Sequence, residues 1–398
     1  MMKILIVSQF YYPERFTISE IASSLVKFGH EVAVITGKPN YCFGRILPEY
    51  QHVDDEIIEG VKVHRVDLFP RQDSRLSIYR NYLSFHHNAK AYARKLKEEY
   101  DVVLSVSLSP VISIAPAVLY AKKHHVKHVL HCLDLWPEST VVTGAVKKNS
   151  LVYRLLYLWS KSLYSHCDKI LVSSPSFIDY FRDVIKLKNK PFAYVPQPAL
   201  ISHATLAPIA YQKKYNFVYV GNIGRLQLIE QIARAGEMLR AHRDIEIHLI
   251  GMGSESAHLR SYITERRLEG LVTYHGPLPL EEAERYYRGA DALLVTLKNE
   301  GTVGKTIPNK LIHYLRYGRV IIGALHGDGR AILSAAGGAV LVAETSADIA
   351  SAIEDVIAMS ALEKAELGEM NRAYYQANFE LEKIAHTIEK ELLDVVKK

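Results

Sequence analysis

The chain carries only three cysteines among 398 residues: Cys42, Cys132 and Cys167. Odd in number and far apart in sequence, they supply neither a disulfide framework nor a C-x-x-C metal clip, and they read as reduced structural thiols. Long apolar runs are also missing. No stretch of about 18 apolar residues appears, so no bilayer-spanning helix is expected. The amino end, MMKILIVSQF, passes straight into a polar aromatic turn. It lacks the extended apolar region and small-residue cleavage site of a secretory signal, and a cytosolic chain is expected. No D-x-D pair stands at the end of a strand-like run either, because Asp54, Asp55 and Glu56 fall in what reads as an acidic connector. Neither a bound metal nor another cofactor is expected.

What is present is a balanced globular composition, 48% hydrophobic and 23% charged, with a net charge of +6. That charge favours an acidic partner, and nucleic acid, nucleotide diphosphate and anionic lipid all satisfy it. The length suits two domains rather than one core. The pattern agrees. KILIVSQF, the helical ISEIASSLVKFG ending at Gly29, and EVAVITG make a βαβ unit, followed by VKVHRVDL, DVVLSVS, KHVLHCLD and KILVSS. Strands of this continuous apolar kind belong to parallel sheets covered on both faces. A Pro-bearing stretch, YVPQPALISHATLAPIAYQKKY, reads as a linker. The same grammar then restarts at NFVYVGNIG and continues through IEIHLIG, VTYHGPL, ADALLVTL, RVIIGAL and AVLVA. The expected fold class is α/β, with two tandem doubly wound, Rossmann-like domains facing across a cleft. Residues 1–198 form the first, 199–379 the second, and 380–398 an amphipathic helix expected to pack back toward the first.

In open α/β sheets ligands sit beyond the carboxyl ends of strands, so residues there are the candidates. Gly221, Asn222, Gly224 and Arg225 occupy the turn after the first strand of the second domain, where small residues let an anion meet backbone N–H groups. The turns at Gly251 in HLIGMGSE and at His275 in VTYHGPLPL suit a base and a ribose. The segment ADALLVTLKNEGTVGKTIPNKLIHYLRYG brings Lys305, Asn309 and Lys310 to the start of a helix, facing a diphosphate if the strand order is the usual one.

These phrases, together with SQFYYPE, ITGKPNY, DLWPES, VSSPSF and PNKLIHYLRYGRVIIGA, resemble the retaining glycosyltransferases of family 4, which have the two-domain GT-B fold. The likeness is greatest to the subgroup that builds bacterial surface polysaccharides, including transferases of N-acetyl-L-fucosamine and related amino sugars. The resemblance implies that Gly221 to Arg225 and Lys310 neutralise the diphosphate of a nucleotide-sugar donor, with UDP the expected leaving group. It implies that the Gly251 and His275 turns approach the nucleotide. Two departures stand out. The glutamate pair of the wider family maps onto Lys305 and His313, and a ring nitrogen of His313 can make one ribose hydrogen bond where a carboxylate accepts two. The first βα turn, FYYPERFTIS, also lacks the glycine pair common among relatives.

On the acceptor side, DLWPES carries Asp134 off a strand end, with Glu138 four residues on; catalysis and helix capping are both open for this pair. Glu14, Asn40 and Tyr41 are candidates for sugar hydroxyls. Residues 71–97 and 146–163 mix basic, aromatic and aliphatic side chains, as helices lying on an anionic inner-leaflet surface do. The expected partners are therefore a nucleotide-sugar donor, a polyprenyl-diphosphate-linked sugar acceptor and that membrane surface, with no nucleic acid. Two other activities remain open at this point: a nucleotide-sugar 2-epimerase of the same fold, and a catalytically silent nucleotide-binding partner protein.

Overall fold

A computed structural model describes residues 1–41, 44–72, 74–200 and 206–397, the side chain of Val303 excepted. Cys42 and part of the expected linker, 201–205, lie outside the described residues. Contacts divide the chain into two units, Met1–Leu200 with Leu381–Lys398, and Ile201–Glu380.

The first unit holds eight strands: β1 (Lys3–Val7), β2 (Glu31–Gly37), β3 (Asp55–Ile58), β4 (Val61–Val66), β5 (Val102–Ser107), β6 (Lys127–Cys132), β7 (Lys169–Val172) and β8 (Phe192–Tyr194). They are ordered β3-β4-β2-β1-β5-β6-β7-β8, every pair parallel except β3 with β4. Helices α1 (Ile18–Lys27), α2 (Arg75–Lys95), α3 (Ala115–His124), α4 (Glu138–Val142), α5 (Leu151–Ser165) and α6 (Ser176–Asp179) connect them. β1, the first strand, lies in mid-sheet between β2 and β5, so the crossovers run outward in opposite directions from it and open a crevice at its carboxyl end.

The second unit repeats this with β9 (Tyr215–Val220), β10 (Ile245–Ile250), β11 (Val272–Gly276), β12 (Ala292–Thr296), β13 (Val320–Ala324) and β14 (Ala339–Leu341). The order is β11-β10-β9-β12-β13-β14, all parallel. Its helices are α7 (Ile229–Met238), α8 (Ser256–Glu265), α9 (Leu280–Gly289), α10 (Asn309–Tyr317), α11 (Gly327–Ala336), α12 (Ser346–Ala358) and α13 (Ala361–Asn378). The reversal falls between β9 and β12, so the turns after these two strands are where a ligand is favoured.

Residues 380–398, read as an amphipathic helix, hold α14 (Leu381–Val396), which follows α13 after a break at Phe379–Glu380. Ile384, Ile388, Leu392 and Val395, at helical spacing, are buried with Ile18, Ile21 and Leu25 of α1. Burying such side chains gains on the order of 2 kcal/mol each before ordering entropy is subtracted. Glu389 is hydrogen-bonded to His30 at 2.8 Å, and Glu391 is ion-paired with Lys169. The acidic connector also resolves differently. Asp55 and Glu56 open the antiparallel edge strand β3, and Asp54, Asp55 and Glu56 pair with Lys38, His64 and Arg65 respectively. Charged side chains are tolerated there because an edge strand keeps one side in water.

Candidate functional site

In the second unit the ends of β9, β10 and β11 are stitched together through backbone. Gly221 N donates to Ile250 O at 2.9 Å, Gly251 N to Gly276 O at 2.8 Å, and Ile223 N to Met252 O at 2.9 Å. Gly221 and Gly251 adopt φ of +152° and +136°, conformations that side-chain-bearing residues rarely reach. A Cβ on Gly251 would lie 1.8 Å from the Gly221 carbonyl oxygen, and one on Gly253 2.3 Å from that of Ile223. Glycine is required because backbone touches backbone. From the other side of the switch point, Lys298 N donates to Leu226 O at 2.8 Å and the Thr296 hydroxyl to Gln227 O.

Lys310, in the first turn of α10, reaches this turn. A Cβ on Gly221 would sit 2.9 Å from its Nζ. The ammonium lies 3.8 Å above the Tyr219 ring centroid and donates to the Tyr219 hydroxyl. That hydroxyl in turn donates to Asn222 O at 2.8 Å. One helical turn later the Tyr314 hydroxyl accepts from Val220 N at 2.8 Å and tethers α10 to the end of β9. Burial pulls the Lys310 amine down to about 7. An anion placed there would restore its charge, since an opposite charge favours the protonated form.

In the first unit the crevice at the carboxyl ends of β1, β5 and β6 opens into a cavity of about 550 Å³, whose lining includes Phe10, Tyr41, Arg71, Arg75, Asp134 and Trp136. Asp134 follows β6. Burial pushes its carboxyl up to about 7, against the opposing pull of the Leu135 N–H and the Ser139 and Ser109 hydroxyls. Ser109 is itself held by a 2.6 Å bond from Trp136 Nε1. A carboxyl with that pKa can donate or accept a proton near neutrality.

Residues 15–198 match the family model described as a glycosyl transferase 4-like domain, and residues 214–359 that described as glycosyl transferases group 1. The chain belongs to the glycosyltransferases of GT-B fold. It is 30% identical over 218 residues to a probable glycosyltransferase, WbjE, of Pseudomonas aeruginosa, a match covering 53% of this chain and 54% of the relative. The chain thus spans about half the length of that curated relative. Among solved structures it is similar to sucrose-phosphate synthase from Thermosynechococcus elongatus (TM-score 0.73, 18% identity, 98% of each chain). It is also similar to Anabaena Alr3699/HepE in complex with UDP and glucose (TM-score 0.70, 12% identity, 99% of this chain and 100% of that one).

The other residues singled out in this glycosyltransferase from its sequence are distributed unevenly. Gly224 is packed against the side chains of Asn222 and Gln227. Asn222 is exposed, and Arg225 lines an adjoining cavity of about 210 Å³ with Glu255, His258 and Lys298. Lys305 is exposed, its backbone carbonyl lying against the start of α11 near Gly327. Asn309 opens α10, and His313 lies one turn on, where burial and the neighbouring Arg316 pull its ring down to about 4. It is therefore a neutral ring at physiological pH.

Three residues do something other than what their place in sequence suggested. His275 turns into a packed group, with Nε2 3.1 Å from His248 Nδ1 and Nδ1 3.4 Å from the Tyr286 hydroxyl. Burial lowers its pKa. Glu138 caps nothing: it is buried in the first turn of α4 and accepts from the Tyr153 hydroxyl at 2.6 Å, fastening α4 to α5. Asn40 is fully buried, its amide spent on Lys38 O, Arg71 N and Asn81 Nδ2. Glu14, also buried and pushed upward in pKa by that burial, accepts from Asn40 N at 2.6 Å and Tyr41 N at 2.5 Å. Of this trio only the Tyr41 ring is exposed. Tyr219, Tyr314 and Ser109 were missed, because each acts through a partner remote in sequence. Tyr314, four residues after Lys310 on the same helix face, was the one with a visible signal.

Proposed function

We propose that the chain transfers a sugar from a UDP-sugar to a lipid-linked glycan acceptor, retaining the anomeric configuration and needing no metal, in the assembly of a surface polysaccharide. The sugar is an N-acetylated amino or deoxy sugar. The observation that carries the reading is the Lys310 ammonium brought onto the glycine turn after β9. There a fixed cation and backbone amides can take the charge that develops on a departing diphosphate, the role a metal would otherwise fill. In this reading Arg225 and Lys305 add charge to the donor side and His313 makes a single ribose contact. Asp134 orients the acceptor hydroxyl, and an oxygen of the departing diphosphate takes that hydroxyl's proton.

A lipid-linked acceptor is supported by the outer faces of α2 and α5. Leu76, Tyr79 and Leu83 on α2 and Leu151, Val152, Leu155, Leu158 and Trp159 on α5 are exposed. A ring contact of His86 with Trp159 joins the two helices. Arg75, Arg80, Lys147, Lys148 and Arg154 are exposed on the same stretches. Apolar side chains among basic ones suit peripheral attachment to an anionic leaflet. No helix among the described residues is long and apolar enough to cross a membrane.

The test is transfer itself. The full chain is incubated in EDTA with UDP-N-acetylhexosamines and a short-chain polyprenyl-diphosphate sugar, and products are followed by mass and by the anomeric NMR coupling. An elongated product with the donor's anomeric configuration is expected. An inverted linkage, a free epimerised nucleotide sugar, or turnover only after a divalent metal is restored would refute the reading.

A further inference from the structure

The cavity of the first unit contains a cation that the donor chemistry does not use. Arg71 is held on several sides. Its guanidinium lies 4.7 Å from the Tyr41 ring centroid and 5.5 Å from that of Tyr82, and Nη1 donates to the Tyr82 hydroxyl at 2.9 Å. Its backbone N–H is bound by Asn40 Oδ1 at 2.9 Å, and Asn40 and Tyr41 are themselves fixed by the Glu14 carboxylate. The Tyr41 ring is wedged edge-on against Phe10 and Phe16. Such a guanidinium is preorganised, so little rotamer entropy remains to be lost when it meets a ligand.

Among the described residues no carboxylate is in ion-pair contact with Arg71 or with Arg75, which lines the same cavity. The single carboxyl of the lining among the described residues is Asp134, whose pKa burial raises to about 7. Two arginines among the described residues thus face this cavity of about 550 Å³ against one carboxyl. The remaining lining is mostly aromatic and aliphatic, including Phe16, Ile78, Tyr79 and Leu108. The ligand that satisfies both features is anionic at one point and apolar beside it. The exposed Leu76, Tyr79 and Leu83 continue that apolar surface along α2 from the turn bearing Arg75.

We infer that Arg71 and Arg75 form the subsite for a diphosphate carried on an isoprenoid chain, with Arg71 the fixed fork and the exposed Arg75 the second cation. Glu14 and Asn40 are positioning residues that act through Arg71. The inference rests on the proposed reading of the first unit as the acceptor side and names the group by which the acceptor is held.

Binding of geranyl diphosphate to the full chain, with UDP saturating so that the other anion site is filled, is the test. Titration of the wild type should show binding, weaker binding of inorganic pyrophosphate, and none of geraniol. Arg71→Met should weaken geranyl diphosphate binding at least about tenfold, the loss expected for one charge-assisted pair. Arg71→Lys should fall between, since a point charge replaces the fork. UDP affinity should not move in either variant. If Arg71→Met does not fold, Arg75→Gln carries the test, with a smaller loss expected. Wild-type affinity in Arg71→Met, or in Arg75→Gln where that variant stands in for it, would overturn the assignment. So would pyrophosphate binding as tightly as geranyl diphosphate. Failure of sugar transfer with Arg71-dependent geranyl diphosphate binding intact would count against the catalytic reading alone. Transfer with an acceptor KM unchanged in Arg71→Met would count against the subsite alone.

Discussion

Replacing Lys310 with methionine keeps the aliphatic stem and removes the ammonium, which isolates the charge at the glycine turn. Burial brings this amine from an ordinary 10.5 to about 7. At about 1.4 kcal/mol for each pKa unit, the charged form is disfavoured by roughly 5 kcal/mol relative to water, an upper figure for a side chain that is only partly buried. Near pH 7 about half of the unliganded protein therefore carries the charge, and a bound diphosphate draws the remainder into the protonated form. UDP binding should be accompanied by uptake of about half a proton at pH 7, approaching one by about pH 8.5, and affinity should fall by up to about tenfold per unit above pH 7.5. In Lys310→Met the proton uptake should vanish and the affinity should be about 10- to 100-fold weaker at pH 7, the value of a charge-assisted hydrogen bond. Stability moves oppositely. The folded pKa is depressed, so between about pH 7 and 10.5 the unfolded chain binds more protons, and the wild type gains stability over the variant as pH rises through that window. Calorimetric titration of UDP at pH 7, 8 and 9 in buffers of different ionisation heat measures both uptake and affinity. A flat affinity with no proton uptake would refute the reasoning.

Three further outcomes are expected. Gly251→Ala places a Cβ 1.8 Å from the Gly221 carbonyl at φ +136° and should cost at least about 3 kcal/mol in urea unfolding, with UDP binding lost; unchanged stability would contradict the described turn. Asp134 has a raised pKa, so its charge costs stability as pH rises from about 4 to 7; Asp134→Asn should gain stability over the wild type across that range while lowering kcat, and a stability difference independent of pH would contradict it. The double change Leu155→Glu with Leu158→Glu, at side chains 65% and 61% exposed, should leave the melting temperature within about 0.5 kcal/mol equivalent of wild type yet abolish flotation with anionic vesicles; retained flotation would remove α5 from the membrane face.

The two sheets were legible because parallel strands buried on both faces write themselves as continuous apolar runs. KILIV, VVLSVS and ALLVT read as strands and are strands. β3 was not legible, since its DEII has the composition of a connector and becomes a strand only by pairing with β4. Strand ends located the candidate residues by depth but not by direction. Asp134 opens onto a cavity, whereas His275, also at a strand end, turns toward His248 and Tyr286. Asn40 likewise follows a strand, yet its amide is consumed by three neighbours. The contacts that give Lys310 and Arg71 their settings come from residues such as Tyr219 and Tyr41, whose relation to them exists only once the sheets have formed.

A crystal structure of the chain with UDP would test the central claim most directly. The account predicts the diphosphate at the turn after β9, with phosphate oxygens within hydrogen-bond distance of the backbone amides near Gly221 and of Lys310 Nζ, the latter withdrawn from the Tyr219 hydroxyl. UDP seated away from Gly221 and Gly251, with the Lys310 to Tyr219 bond intact, would contradict it.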